Sequence, residues 1–238
     1  MAVDTGSLGI VVGLAAEARM ARRLGGMIAI GGGTAAGARV AVRGLAERAA
    51  TALLSFGLAG GLDPALRPGT ILVPEAILVD GRLLPTDPAL CRMLGGTTPH
   101  RLLGADRIIA DPGAKQARWR ETGCAAVDLE SGAVASVARE CGLPFVVLRV
   151  ICDPADRALP PAAVAALGAE GAVVLGRVLA SLARRPGQLV ALVALGTDAA
   201  RARHALLRRV RRIRRHGTFT LSSAHRAGTH EGDDGHTR

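Results

Sequence analysis

The chain has little aromatic character: Tyr is absent, and three Phe and one Trp make up the aromatic complement of its 238 residues. The core is therefore left to Ala, Val, Leu and Ile, a composition that suits close packing of helices on a sheet. Cysteine is also scarce. Cys91, Cys124, Cys141 and Cys152 form no CxxC pair and no Cys/His spacing of the zinc type, so a zinc ribbon or finger is excluded and a reduced, cytoplasmic protein is expected. No run approaches the roughly 18 uninterrupted apolar residues of a membrane span; the stretch from Gln188 to Gly196 is apolar but too short. Asp4 stands where a secretory leader would carry basic residues, and no internal repeat is present.

Charge of one sign is confined to one region. The formal net charge is +10, yet residues 176–226 hold twelve Arg against the single acid Asp198, which leaves 18 basic and 19 acidic side chains elsewhere. The folded part is near neutral and the basic character belongs to a C-terminal appendage. A nucleic-acid partner for the whole protein is thereby disfavoured.

The pattern along the chain alternates strand and helix. Apolar Leu8–Val12, a helix over Ala15–Leu24 and apolar Met27–Ile30 open it, and Arg39–Val42 alternates as a further strand. A helical segment over Leu45–Ala50 then precedes the buried-type strand Ala52–Phe56. Thr70–Pro74, Ile77–Val79 and Arg82–Leu84 are short strands broken by Pro74 and by Asp80-Gly81, a hairpin turn signal. Residues 85–116 carry no clear pattern. Strand Ala125–Leu129, helix Glu130–Cys141, strand Pro144–Ile151 and a helix from Pro160 or Pro161 to Ala183 follow. Apolar strands in such alternation predict an α/β fold of three layers, with a mixed, mainly parallel central sheet flanked by helices. Residues 1–185 are read as that domain and 186–215 as an Arg-rich amphipathic helical extension. Residues 216–238 read as a polar, disordered tail. Ala199, Ala202, Leu206, Val210 and Ile213 form an apolar stripe on that last helix. It serves either to dock on an anionic membrane surface or to pack on the domain with a solvated basic face.

Two carboxylates fall at strand ends, where ligands of open α/β sheets bind. Glu130 stands where the strand Ala125–Leu129 hands over to a helix, and Asp153 ends the run Phe145–Cys152. Taken singly, Glu130 could serve only the helix N-terminus and Asp153 only a turn. Glu17 lies in the first turn of the first helix, a common place for a solvated acid. Gly31-Gly32-Gly33-Thr34 follows a strand but lacks both the GxGxxG and the P-loop spacing, and reads as a tight turn sooner than as a backbone cradle for an anion. Gly57-Leu58-Ala59-Gly60-Gly61, directly after a buried strand, is either a ligand-lining loop or a plain turn.

Four ordered pieces resemble the superfamily of purine nucleoside phosphorylases and methylthioadenosine/S-adenosylhomocysteine nucleosidases. They are Gly13-Leu14-Ala15-Ala16-Glu17-Ala18, Ser55 to Leu62, Val127-Asp128-Leu129-Glu130-Ser131, and Arg149-Val150-Ile151-Cys152-Asp153. The resemblance implies that Asp153 protonates the departing purine, that Glu130 holds the ribose hydroxyls and that Glu17 activates water. It further implies that Leu129, with Gly57, Leu58, Ala59 and Gly60, packs around the substrate. Arg149 is a candidate anion ligand, as are Arg19 and Arg39, although each also reads as a salt-bridging arginine. Such chemistry needs no cofactor and no metal, with phosphate as the alternative co-substrate to water. The chain departs from the pattern at Leu58 and Cys152, where serine is common in the family, and this leaves the nucleophile open.

The divergent middle and the Arg-rich extension are most similar to the hopanoid-associated phosphorylases. That likeness implies cleavage of adenosylhopane, with adenine and a ribosyl or phosphoribosyl hopane as products. It also implies peripheral contact with the inner membrane through the basic helix, and a homo-oligomer. The rival within enzymes is a nucleosidase or phosphorylase of soluble nucleosides. The rival outside enzymes is a non-catalytic nucleotide or nucleic-acid binding protein.

Overall fold

The computed structural model describes residues 7–166, 184 and 186–215. Nine strands form one mixed sheet: β1 (Ser7–Val12), β2 (Met27–Ile30), β3 (Ala50–Gly61), β4 (Ile71–Leu72), β5 (Ala76–Val79), β6 (Arg82–Pro85), β7 (Leu102–Gly104), β8 (Ala126–Asp128) and β9 (Phe145–Asp153). Their order is β2-β1-β3-β8-β7-β5-β6, with β9 paired to β3 and β4. The pairs β1/β2, β1/β3, β3/β9, β5/β7 and β7/β8 are parallel, whereas β3/β8, β4/β9 and β5/β6 are antiparallel. This is the predicted mixed, mainly parallel sheet with helices on its faces.

The helices among the described residues are α1 (Ala15–Ala21), α2 (Ala35–Glu47), α3 (Pro88–Met93), α4 (Pro112–Thr122), α5 (Ser131–Glu140), α6 (Pro161–Ala166) and α7 (Leu189–Arg215). Both faces of the long strands are buried because their side chains alternate between two apolar clusters. Leu8, Ile10, Val12, Leu148 and Val150 point to one face, under α1, α3 and α7, while Val11, Val147 and Ile151 point to the other, under α2 and α5.

The strand expected at Arg39–Val42 is instead the middle of α2. Thr34 caps that helix by accepting from the Gly37 amide at 3.1 Å, and Ala38, Ala41, Val42 and Leu45 form its buried face. Val40, which completed the alternating pattern, is 73% exposed, so the alternation was accidental. The Asp80-Gly81 hairpin is present, with both residues at positive φ (47° and 75°), the geometry of a two-residue primed turn. The uncertain stretch 85–116 supplies α3, β7 and the start of α4, whose N-termini are capped by Asp87 and Asp111 with proline at the first turn. The helix expected to reach Ala183 is observed from Pro161 to Ala166; residues 167–183 and the tail 216–238 lie outside the described residues.

The apolar stripe of α7 is spent on the domain. Ala202, Leu206, Val210 and Ile213 are buried in the cluster that contains Phe56, Leu148 and Leu24, so this stripe is not free for a bilayer. Its arginines other than half-buried Arg209 remain on the solvent side. Leu206→Ala should cost about 2–5 kcal/mol, lowering Tm by roughly 2–4 °C per kcal/mol for a chain of this size, as read by thermal unfolding.

Candidate active site

The C-terminal ends of β1, β3, β8 and β9 meet at a cavity of about 310 Å3. Its lining includes Glu17, Asp128, Glu130, Arg149, Cys152 and Asp153, with Leu58, Ala59, Gly60 and Leu129 beside them. The three acids expected from sequence are thus brought to one place. So are Leu58, Ala59, Gly60 and Leu129; the glycine-rich segment is neither loop nor turn but the end of strand β3, paired to β9, and it forms a cavity wall. Gly57 lies behind that wall: a Cβ there would sit 2.5 Å from Glu17 Oε1 and 2.6 Å from Arg149 Nη1, so only glycine lets both side chains pass. Gly13 is likewise crowded by Glu130 Oε1.

Glu17 is buried and held by main-chain donors. Its Oε2 accepts from the amides of Gly13 (3.0 Å) and Leu14 (2.9 Å), and its Oε1 accepts from Leu58 N at 2.9 Å. The carboxylate therefore ties the β1–α1 turn to β3.

Glu130 precedes α5 but does not cap it. Asp128 does so, accepting from the Ser131 amide at 3.0 Å and from the Ser131 hydroxyl. That arrangement leaves Glu130 free to meet Arg149, whose Nη2 donates to Glu130 Oε2 at 2.9 Å. Burial pushes the Glu130 carboxyl up to about 7; Asp128 and Glu17 push in the same direction, and Arg149 opposes them.

Arg149 is fully buried. Its Nε lies 2.5 Å from Asp128 Oδ2, its Nη2 also donates to Ser55 Oγ at 2.8 Å, and its Nη1 donates to the Leu58 carbonyl at 3.2 Å. Burial disfavours its charge, but Asp128 and Glu130 outweigh that penalty and hold the guanidinium charged. Arg149 thus anchors the floor of the cavity. Neither Arg19 nor Arg39 lines it.

Asp153 is buried, and burial raises its carboxyl above the ordinary range, with Lys115 and Arg157 opposing. Its two oxygens differ. Oδ2 accepts from Lys115 Nζ at 2.6 Å, whereas Oδ1 has no hydrogen-bond partner among the described residues. The neighbouring Cys152 thiol is pushed up to about 12, chiefly by burial and then by Asp153, so it is protonated at neutral pH.

Sequence reasoning missed Lys115, Asp128, Ser55 and Ser131. For Lys115 a compositional signal existed: of the 30 basic residues it is the single lysine, the rest being arginine. A lone lysine in an arginine-biased chain marks a position where a compact ammonium is wanted. Ser55, Asp128 and Ser131 lie inside the pieces that carry the family resemblance, and the resemblance assigned them no role.

A family model described as the Phosphorylase superfamily matches residues 101–184. That segment carries β7 to α6, and with them Lys115, Glu130, Arg149 and Asp153. Among solved structures, the chain is similar to an S-adenosylhomocysteine nucleosidase from Streptococcus pyogenes in complex with 5-methylthiotubericidin. The identity is 19% and the TM-score 0.59, covering 65% of this chain and 86% of that one. A 5'-methylthioadenosine/S-adenosylhomocysteine nucleosidase from Helicobacter pylori gives 15% identity and a TM-score of 0.61, covering 89% and 99%. A futalosine hydrolase mutant from Helicobacter pylori gives 17% and 0.56, covering 62% and 88%. A search of curated proteins finds no match. The fold is that of the nucleoside phosphorylases and nucleosidases.

Proposed function

We propose that this chain cleaves the N-glycosidic bond of an adenine nucleoside. Asp153 gives a proton to the departing base, Glu130 accepts hydrogen bonds from the ribose hydroxyls, and Glu17 activates the nucleophile. The observation that carries this reading is Asp153 Oδ1, a buried carboxylate oxygen without a partner among the described residues, in the cavity that also holds Glu17 and Glu130. Cleavage of a ribosyl C–N bond builds positive charge on the sugar and negative charge on the base, so an acid at the base and carboxylates near the sugar lower the barrier.

One feature favours water over phosphate as that nucleophile. The amides of Gly13, Leu14 and Leu58, which could bind an anion, are already occupied by the Glu17 carboxylate.

Apart from Arg107 the rest of the wall is apolar: Ile108, Ile109, Leu159, Val164, Leu195 and Ala199 line the same cavity, and Val190 and Val193 are exposed on α7 nearby in sequence. This supports a nucleoside with a large hydrophobic substituent, adenosylhopane in our reading, whose tail leaves over α6 and α7. Peripheral contact with an anionic bilayer would then use those exposed valines and the solvent-facing arginines of α7, not the buried stripe.

Adenine release from adenosylhopane, methylthioadenosine and adenosine, each with and without phosphate, tests the proposal. Release confined to the hopanoid supports the lipid-linked substrate, and release from the small nucleosides replaces it with a soluble one. No release from any of the three overturns the reaction. A pH dependence is also expected. Glu130 must be ionised to accept sugar hydroxyls, so nucleoside affinity should rise about tenfold per pH unit as pH approaches 7 from below and level off above it. Titration calorimetry against Glu130→Gln, which should lack this step, checks it.

A further inference from the structure

We propose that Lys115 is the positioning residue of this reaction: its ammonium engages Asp153 Oδ2 and leaves Oδ1 as the carboxylate atom that meets the departing base. The inference rests on Asp153 being the acid of the reaction proposed above.

Lys115 is completely buried. Its Nζ donates to Asp153 Oδ2 at 2.6 Å and to the carbonyls of Pro154 and Arg157, both at 2.9 Å. An ammonium has three N–H donors, and here three acceptors take them. A lone carboxylate can rotate and exchange its two oxygens; this one cannot without breaking a charged hydrogen bond. The clamp is itself held at both ends. Asp111 caps α4 by accepting from the Ala114 amide, next to Lys115, and the Arg157 guanidinium is ion-paired with buried Asp198 of α7. An arginine, with a planar fork of five donors, does not match three acceptors gathered around one point.

The charged and titratable groups around Asp153 are Lys115 from α4, Arg157 from the turn after β9, Asp198 from α7 and the adjacent Cys152, with Glu17, Arg107, Asp128, Glu130 and Arg149 in the same cavity. Burial favours the protonated acid and Lys115 favours the ionised one, so loss of Lys115 keeps Asp153 protonated to higher pH.

For Lys115→Met, kcat at pH 7 should fall about 10- to 100-fold, as expected when a reacting group is misplaced. KM should change little, and the alkaline limb of the kcat profile should move to higher pH. Lys115→Arg should not restore kcat. A lower Tm with an unmoved limb, or full rescue by arginine, would reduce Lys115 to a structural residue and overturn the proposal.

Because the chain has one lysine, lysine labelled with 13C at Cε gives one resonance from these 238 residues. That resonance should step as Asp153 ionises, and the step should vanish in Asp153→Asn. This readout does not depend on turnover or on whether Lys115→Met folds. A step with no base released by the wild-type protein sinks the reaction, and with it the catalytic part of this proposal. Base release without the step sinks the role of Lys115 alone.

Discussion

Adenine release by Asp153→Asn is expected to fall by about 10²- to 10⁴-fold, the usual contribution of a positioned general acid. Nucleoside binding should stay within a few-fold of the wild type. The substitution is suited to the question because asparagine is nearly isosteric and keeps an oxygen for Lys115 Nζ, which donates to Oδ2 in the native site. The amide that replaces the other oxygen has no proton to give at neutral pH. Burial keeps the native carboxyl above its ordinary range, so the wild-type rate should decline on the alkaline side as Asp153 loses its proton, whereas any residual Asp153→Asn rate should lack that decline. Steady-state rates and equilibrium binding of a nucleoside, both followed from pH 5 to 9, supply the comparison. A near-normal rate in the variant would remove Asp153 from the mechanism.

The residues that carry this prediction were legible in the sequence because sheet topology puts chemistry at strand ends. Asp153 follows an apolar run whose two faces are both buried, and Glu130 follows another, so the linear pattern alone located both at the sheet's C-terminal edge. Glu17 was legible only through the resemblance of its short segment, since a first-turn acid is common on any helix. What failed was the part that depends on tertiary partners. The alternation at Arg39–Val42 imitated a strand, and only the Thr34 cap and the packing of Ala38, Val42 and Leu45 decided for a helix. Lys115 lies on α4, which is mostly polar and buries no other residue, so no periodicity singled it out. The split of labour between Asp128, which caps α5, and Glu130, which turns to Arg149, was hidden because both acids precede the helix by almost the same distance. The same limit applies to α7: its stripe was visible, but whether it met lipid or protein was settled by Phe56, Leu148 and Leu24 on the other side of the contact.

Arg149→Met should be the most destabilising single change in the site. Arginine and methionine both carry an unbranched stem, so the loss is chiefly that of charge and hydrogen bonds. The variant leaves Asp128 and Glu130 buried without their cation, and Ser55 without one of its partners. Breaking a buried pair by removing one member costs about 3–5 kcal/mol, because the remaining charge has lost its solvation and its counter-ion together. For a chain of this length that is a fall in Tm of roughly 6–20 °C. The pH dependence separates electrostatics from packing. Without Arg149 the Glu130 carboxyl should bind its proton more tightly in the folded than in the unfolded chain. Stability of the variant is then greatest at low pH and is lost as pH rises from the unfolded carboxyl range toward the raised folded one. In the native site Glu130 already stands at about 7 with Arg149 opposing the rise, so the gap between the two proteins should widen from pH 5 to pH 8. Denaturant unfolding at a series of pH values measures that gap. Adding Glu130→Gln to Arg149→Met should recover part of it at pH 8 and little at pH 5. A gap of equal size at every pH would mean that Arg149 acts through packing alone and does not neutralise the acids beneath the proposed sugar site.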